Sequence, residues 1–469
     1  FIWFPTRQPR TSLLARSAMP PASYTCTSLS LCPASTAINR LSILAAHISS
    51  SRQSCTSQPS RSLTSHASSD TKHVYILAAV RTPMGAFQGA LSHLSAPELG
   101  ARAIEEAVKR ARVKTEDVDT CVMGNVLSAG VGQAPARQAA LLAKLPASVC
   151  CTTVNKVCAS GLKALTMCAQ AIRLGESRLA VAGGFESMTN APYLLPSARS
   201  GWRMGHRVAE DAMIRDGLWD PLGDRHMGAI AEATARQRGI SREEQDAHAT
   251  RSFERARAAV ARGDFEGEIV GVPAKVDKKG QAASADVMLV THDEPPDAVN
   301  LAKLAKLKPA FAKDGTVTAG NASVIADGAA ALLLGGDDAP VDPSRRIARV
   351  LAWADAELQP GDFPIAPASA VKLALERANL GVEDIDAWEI NEAFSAVDLA
   401  NKQLLGLPAD AAHVNADGGG VALGHPIGAS GARILVTLLG VLRRRGGRRG
   451  VAAICNGGGG ATAVVVELM

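Results

Sequence analysis

One stretch of the chain repeats itself: Cys158-Ala159-Ser160-Gly161-Leu162-Lys163 is echoed by Gly428-Ala429-Ser430-Gly431-Ala432-Arg433, and an apolar, helix-like stretch follows each copy. Each helix-like stretch is followed by an apolar run ending in glycines, Leu179 to Gly184 in one case and Val451 to Gly460 in the other. The two copies lie too far apart for a solenoid, whose period is about 20–50 residues, so the echo points to two homologous domains packed face to face. Length agrees, since 469 residues exceed what one core organises, about 250–300.

Strand-like and helix-like runs alternate at the start of the body. Val74 to Val80 reads as a strand entering the Arg81-Thr82-Pro83-Met84-Gly85 turn, Ala96 to Arg112 as an amphipathic helix, and Val118 to Val122 as the next strand. This order predicts parallel α/β layers. The polar stretch from Ser200 to about Lys313, with a helix over Ile230 to Arg262, breaks the alternation and reads as an insertion. The expected division is a leader over 1–69, a first half over 70–189 completed by about 318–344, an inserted loop domain over 190–317, and a second half over 345–469.

The leader holds six arginines, many serines and no acid before Asp70, which is the composition of an organelle transit segment. Without those six, the fifty basic residues become forty-four against forty-five acids. The body is therefore near neutral, and no nucleic-acid partner is expected. No run of eighteen apolar residues occurs, so no membrane span is expected either. Of nine cysteines, Cys26, Cys32 and Cys55 lie in the leader, and the rest show neither a disulfide framework nor metal-ligand spacing. The expectation is reduced thiols and no metal site.

Four positions carry candidate chemistry. Cys158 lies between a strand-like Thr152 to Val157 and a helix-like Ser160 to Leu174, where a helix dipole would favour its thiolate. The small residues after it let a carbonyl approach backbone N–H groups. Cys121, Cys150 and Cys168 lack this turn chemistry and read as ordinary structural thiols. His425 stands in the glycine-rich Gly418 to Gly428 loop, which would present an imidazole to a cleft as a base. Cys455 ends an apolar strand before Asn456 and Gly457 to Gly460, a place for proton transfer in a dry pocket. The glycines there match no phosphate-cradle pattern. Asn391-Glu392-Ala393-Phe394 follows the strand-like Ile385 to Ile390; Asn391 is either a functional group at a strand end or a helix cap.

Val157-Cys158-Ala159-Ser160-Gly161, Asn391-Glu392-Ala393-Phe394, Gly424-His425-Pro426-Ile427-Gly428-Ala429-Ser430-Gly431 and Cys455-Asn456-Gly457-Gly458-Gly459-Gly460 together resemble the thiolase family, in order and spacing, from about Val74 to Met469. The resemblance implies a five-layered αβαβα body of two duplicated halves with an inserted loop domain. It implies that Cys158 takes the acetyl group of acetyl-CoA with help from His425, and that Cys455 removes an α-proton from a second acetyl-CoA to give acetoacetyl-CoA and CoA. Asn391 would hold a water facing the enolate, and the N–H groups of Cys158 and Gly457 would receive the oxyanion. His226 and Ser323 would lie beside the pantetheine, and Met227 would shorten the acyl pocket. This favours an acetyl-CoA acetyltransferase over the β-oxidation 3-ketoacyl-CoA thiolases. A decarboxylating condensing enzyme would need two histidines where Asn391 and Cys455 stand, and a silent lipid-binding relative would lack one of the four groups.

The chain departs from the family pattern in places. Asp293-Glu294-Pro295-Pro296-Asp297 lacks an Arg expected at the CoA nucleotide, leaving Lys303 or Lys306 for that contact, although Lys303, Lys306 and Lys308 also read as a solvated face. Leu222 replaces the Tyr of potassium-activated members, so no potassium site is expected, and CoA enters as substrate and product rather than cofactor. Asp417 and Gly420 replace the usual Asn and Ala. A homotetramer or homodimer is implied. The leader favours mitochondrial import, with Arg40-Leu41 and His47-Ile48 as a competing peroxisomal pattern.

Overall fold

The computed structural model describes residues 72–274 and 289–469, so the expectations for the leader lie outside the described residues. In chain order the first half contributes β1 (Tyr75–Arg81), α1 (Ala96–Ala111), β2 (Thr120–Gly124), α2 (Pro135–Leu142), β3 (Cys150–Val154), α3 (Ser160–Leu174) and β4 (Leu179–Ser187). After β4 come two long helices, α4 (Met227–Arg238) and α5 (Arg242–Arg262), and the chain returns through β5 (Ala326–Gly335). The second half runs β6 (Ala348–Glu357), α6 (Ala366–Ala378), β7 (Ala387–Ile390), α7 (Ser395–Leu405), α8 (Ile427–Arg445), β8 (Arg449–Asn456) and β9 (Gly460–Leu468).

Strand order makes the duplication explicit. The first wing is β1-β5-β4-β2-β3 and the second is β6-β9-β8-β7. In each wing the first two pairings are antiparallel and the next is parallel. A parallel bridge from Trp388 to Val414 extends the second wing where β3 extends the first. The wings touch edge to edge only where Tyr75 and Ile76 pair with Arg349 and Ala348, and Gly85–Ala86 pairs with the start of β5.

Alternation along the strands sorts side chains into layers. On β5, Ala330, Leu332 and Leu334 face the central core with Leu162, Leu165, Leu435 and Leu438 of α3 and α8. The alternate residues Ala329, Ala331 and Leu333 face an outer core with Leu99 and Ile104 of α1. On β9, Val464 and Val466 point inward, whereas Ala463 and Val465 pack on Val371 and Leu375 of α6. The result is five layers, helices–sheet–helices–sheet–helices. Each buried Leu or Val in them contributes about 1.5–3 kcal/mol.

The echoed motif has a steric origin. A Cβ on Gly161 would sit 2.8 Å from the Ala432 nitrogen and 3.0 Å from the Gly428 oxygen, and one on Gly431 would sit 2.5 Å from the Leu162 nitrogen. Helices α3 and α8 cross at their first turns with backbone against backbone, which only glycine permits.

One expected element is corrected. The continuous helix over Ile230 to Arg262 is two helices, because Gly239 takes φ +65° and Ser241 caps α5. Glu244 N–H donates to Ser241 Oγ at 3.1 Å, and Ser241 N–H donates to Glu244 Oε2 at 2.7 Å. Among the described residues, 188–325 contribute two-stranded pairs and short turns beside α4 and α5, and before β5 they reach the large sheet through a parallel bridge of Ile269 to Arg81 of β1.

Candidate active site

Cys158 lies in the turn between β3 and α3. Val157 is held at φ +46°, a left-handed position unfavourable for a β-branched residue. The turn is tied down locally: Lys156 N–H donates to Ser160 Oγ at 2.8 Å, and that hydroxyl donates to the Val157 carbonyl at 2.5 Å. The side chain packs beside Val126, Leu127, Met188 and Ile427.

That environment overturns the thiolate expectation. Burial pushes the Cys158 thiol up to about 12, the backbone N–H groups of Cys158 and Gly457 pull it down, and the nearby Glu186 carboxylate raises it further. Desolvation outweighs the two backbone donors, which favours the thiol at rest. The same N–H groups place the expected oxyanion donors at the sulfur, one from each half of the molecule.

Cys455 is the last residue but one of β8, buried with Met227, Ile230, Phe363, Ala393, Phe394 and Val397. Burial holds its thiol well above the ordinary value, and the neighbouring Cys158 adds to the effect. Gly457 begins the turn to β9, and a Cβ there would lie 3.5 Å from Met227 Sδ and 3.7 Å from Val157 Cγ1. Met227, Gly457 and the Cys158 turn therefore share one wall. Gly459 takes φ +103°, and a Cβ there would meet the Leu358 oxygen at 2.4 Å, so this turn requires glycine.

His425 follows Gly424, which takes φ +98° and whose Cβ would sit 2.7 Å from that of Ala326. Its N–H donates to the Val324 carbonyl at 2.8 Å, and its Nδ1 lies 2.6 Å from Ser430 Oγ. Nε2 is buried with no partner among the described residues. Burial, reinforced by Arg433, lowers the imidazole to about 3, so it is neutral at physiological pH.

Asn391 is not a helix cap, because α7 begins four residues later behind an extended Phe394. Its N–H continues the β7–β8 pairing to the Ala453 carbonyl at 2.9 Å. Both side-chain polar atoms are buried without a partner among the described residues. A Cβ on Gly420 would come within 3.3 Å of Asn391 Oδ1, so the amide lies against the loop that leads to His425. Buried polar atoms left unpaired cost about 1–3 kcal/mol each, a cost met at places prepared for a ligand.

The other expected contacts divide. His226 caps α4, its Nδ1 accepting from Gly228 N–H at 3.0 Å; its ring stacks on Phe311 at 4.8 Å, and burial lowers it to about 4. Ser323 is half-buried and donates its N–H to the Ala393 carbonyl at 3.1 Å, beside the Asn391 segment. Lys303, Lys306 and Lys308 are exposed on or beside the 3₁₀ turn Leu301–Lys306. Asp293 and Glu294 serve the fold. Asp293 pairs with the buried Arg81, and Glu294 accepts the N–H groups of Ala86 and Ala90. Asp417 pairs with Arg444.

Two groups went unnoticed in the sequence. Glu186, buried at the end of β4, accepts from Asn125 Nδ2 at 2.7 Å and from the N–H groups of Val126, Leu127 and Gly428 at 3.0, 3.1 and 2.9 Å. Burial raises its carboxyl to about 7 against these donors. A carboxylate closing an apolar strand after Gly183-Gly184 was the available signal. The second is Asp355 on β6, which gathers Lys156 at 2.9 Å, Lys163 at 2.7 Å and the Thr462 hydroxyl at 2.6 Å. It ties the Cys158 turn to the β8–β9 corner of the other half.

A duplicated five-layered α/β body that brings the partly buried Cys158 and the buried Cys455 beside one another, with a neutral imidazole in the glycine-rich loop, defines a thiol-based class of enzyme. Residues 74–338 match the thiolase N-terminal domain and residues 344–468 the thiolase C-terminal domain, and the chain belongs to the thiolase family. It is 50% identical over 400 residues to acetyl-CoA acetyltransferase 1 of Arabidopsis thaliana, covering 85% of this chain and 95% of that protein. It is 47% identical to the mitochondrial acetyl-CoA acetyltransferase erg10A of Aspergillus fumigatus, covering 85% and 90%. The crystal structure of Acat5 thiolase from Ascaris suum in complex with coenzyme A superposes with a TM-score of 0.78 at 44% identity, covering 85% of this chain and all of that one.

Proposed function

We propose that this protein is an acetyl-CoA C-acetyltransferase that joins two acetyl-CoA molecules into acetoacetyl-CoA and CoA through an acetyl-cysteine intermediate. The observation that carries the reading is the meeting of Cys158, its own N–H and Gly457 N–H, with Cys455 as a neighbouring thiol. His425 Nε2 accepts the Cys158 proton as the sulfur attacks the thioester, and the Cys455 thiol gives its own proton to the departing CoA thiolate. The two N–H groups receive the oxyanion, a donor of this kind contributing about 10²–10³ in rate. Cys455 then removes the α-proton of the second acetyl-CoA. Asn391 holds a water that, with His425, faces the enolate oxygen; the carbanion attacks the acetyl group on Cys158, and the Cys158 thiolate leaves and takes its proton back from His425. Both thiols rest protonated, so each proton moves only when substrate supplies the compensating charge.

Met227 and its aromatic neighbours close the wall behind Cys455, which supports a short acyl group; His226 and Ser323 flank the pantetheine path, and Lys303 or Lys306 meets the CoA phosphates. Neither a metal nor a resident cofactor is needed, and Leu222, exposed and without a side-chain oxygen, offers potassium no ligand. We place the protein in mitochondria as a homotetramer or homodimer.

The experiment is thiolysis by purified protein across 3-ketoacyl-CoA chain lengths. Acetoacetyl-CoA should exceed 3-ketohexadecanoyl-CoA in kcat/KM by about 100-fold or more. Cys158→Ala should abolish labelling by acetyl-CoA, while Cys455→Ala should accumulate acetyl-enzyme. Equal specificity constants would move the protein to the β-oxidation branch, and labelling retained in Cys158→Ala would remove the nucleophile assignment.

A further inference from the structure

The serines of the echoed motif have the same wiring, and the mechanism above uses neither. Ser160 Oγ accepts from a backbone N–H, that of Lys156 at 2.8 Å, and donates to the Val157 carbonyl at 2.5 Å. Ser430 Oγ lies 2.9 Å from the Pro426 carbonyl as donor and 2.6 Å from His425 Nδ1. Each hydroxyl thus binds a carbonyl three or four residues back and a nitrogen of the loop carrying a reactive group. Each serine is fully buried.

We propose that Ser430 is the positioning residue that sets the tautomer of His425, keeping the proton on Nδ1 and the lone pair on Nε2. A hydroxyl has one proton, and two oxygens 2.9 Å apart repel unless that proton lies between them. The Ser430 proton therefore points to Pro426, and its oxygen can only accept from the imidazole. Nδ1–H is the donor, as Lys156 N–H is in the twin site. Nε2, buried and free of protein partners, is left as the base. When it takes the Cys158 proton the imidazolium keeps the same Nδ1–H···Ser430 bond, so proton uptake requires no rearrangement around the ring.

This inference rests on the reading of His425 as the base, and its test separates the two. In the full-length protein labelled with ¹⁵N-histidine, the His425 resonances, assigned by their loss in His425→Asn, should show a protonated Nδ1 and an unprotonated Nε2 in wild type. In Ser430→Ala they should show a mixture of tautomers. The same variant should lose about 10–100-fold in kcat for thiolysis with KM changed less than about twofold, since a misplaced tautomer harms the chemical step. Ser160→Ala should leave the His425 resonances unchanged. A wild-type ring protonated on Nε2, or a Ser430→Ala variant with unaltered tautomer and kcat, overturns the proposal. Because the resonances are read without substrate, they decide it even if the thiolase activity fails or Ser430→Ala does not fold.

Discussion

Replacing Gly161 by Ala should destabilise this protein and slow it, although the same change in most helix interiors stabilises by about 1 kcal/mol. The added Cβ would lie 2.8 Å from the Ala432 nitrogen and 3.0 Å from the Gly428 oxygen. Both are backbone atoms near the start of α8, so no side chain can swing aside. Reaching ordinary contact at 3.4 Å from 2.8 Å requires α3 and α8 to separate by about 0.6 Å. Overpacking of this kind costs about 1–3 kcal/mol, which exceeds or matches the propensity gain and leaves a net loss of up to about 2 kcal/mol. The two helices start beside Cys158 and His425, so the same displacement opens the distance over which a proton must pass. A misplacement of about 1 Å can cost about 100-fold, and about 0.6 Å should cost about 10-fold in kcat. Urea unfolding and steady-state thiolysis check both halves of the expectation. An unfolding midpoint at or above wild type with unchanged kcat would refute the close-crossing explanation of the echoed glycines.

Alkylation of Cys158 by iodoacetamide should rise about tenfold per pH unit from pH 7 to 10, because burial holds the thiol near 12; a plateau below pH 8 would contradict this. Asp355 has its carboxyl lowered to about 2 by the hydrogen bonds of Lys163, Thr462 and Lys156, against desolvation. A depressed carboxyl stabilises the fold above its unfolded value near 3.8, and that stability is lost as pH falls toward 2. Asp355→Asn should therefore cost about 1–2 kcal/mol at pH 7 after discounting for solvent screening, and the difference from wild type should shrink between pH 4 and 2 in denaturation at each pH. Met227→Ala should raise the 3-ketohexanoyl-CoA to acetoacetyl-CoA ratio of kcat/KM about 10-fold by lengthening the acyl pocket, with an unchanged ratio placing the pocket floor elsewhere.

What the sequence made legible follows from how local each cause is. The echo was legible as two homologous domains packed face to face, and the structure adds its cause, the close crossing of α3 and α8 at Gly161 and Gly431. The span of α3 agrees with the expected Ser160 to Leu174 because a tight turn and Gly175 bound it. The state of Cys158 was not legible: a helix start is visible in one stretch of sequence, whereas the Val126, Leu127, Met188 and Ile427 side chains packed beside it come from three other segments. Asn391 looked like a cap because a helical pattern follows it; its pairing with Ala453 keeps it in strand geometry instead. Asp355 escaped notice because its lysines are on the other half, far along the chain. Gly239 was readable as a break, but the amphipathic pattern on both sides of it masked the Ser241 cap.

The two wings have one corner in common that they use differently. In the second, β8 turns straight into β9 through the glycines that put Gly457 N–H at the nucleophile. In the first, the equivalent connection from β4 to β5 is opened to hold residues 188–325, which bring His226 and Met227 to the same wall. The duplicated scaffold thus closes one corner tightly and opens its twin to an insertion. Substitutions around His226 and Met227 can reshape that wall without disturbing the ladders of the large sheet, whereas the position of Gly457 is fixed by the turn that joins two of its strands.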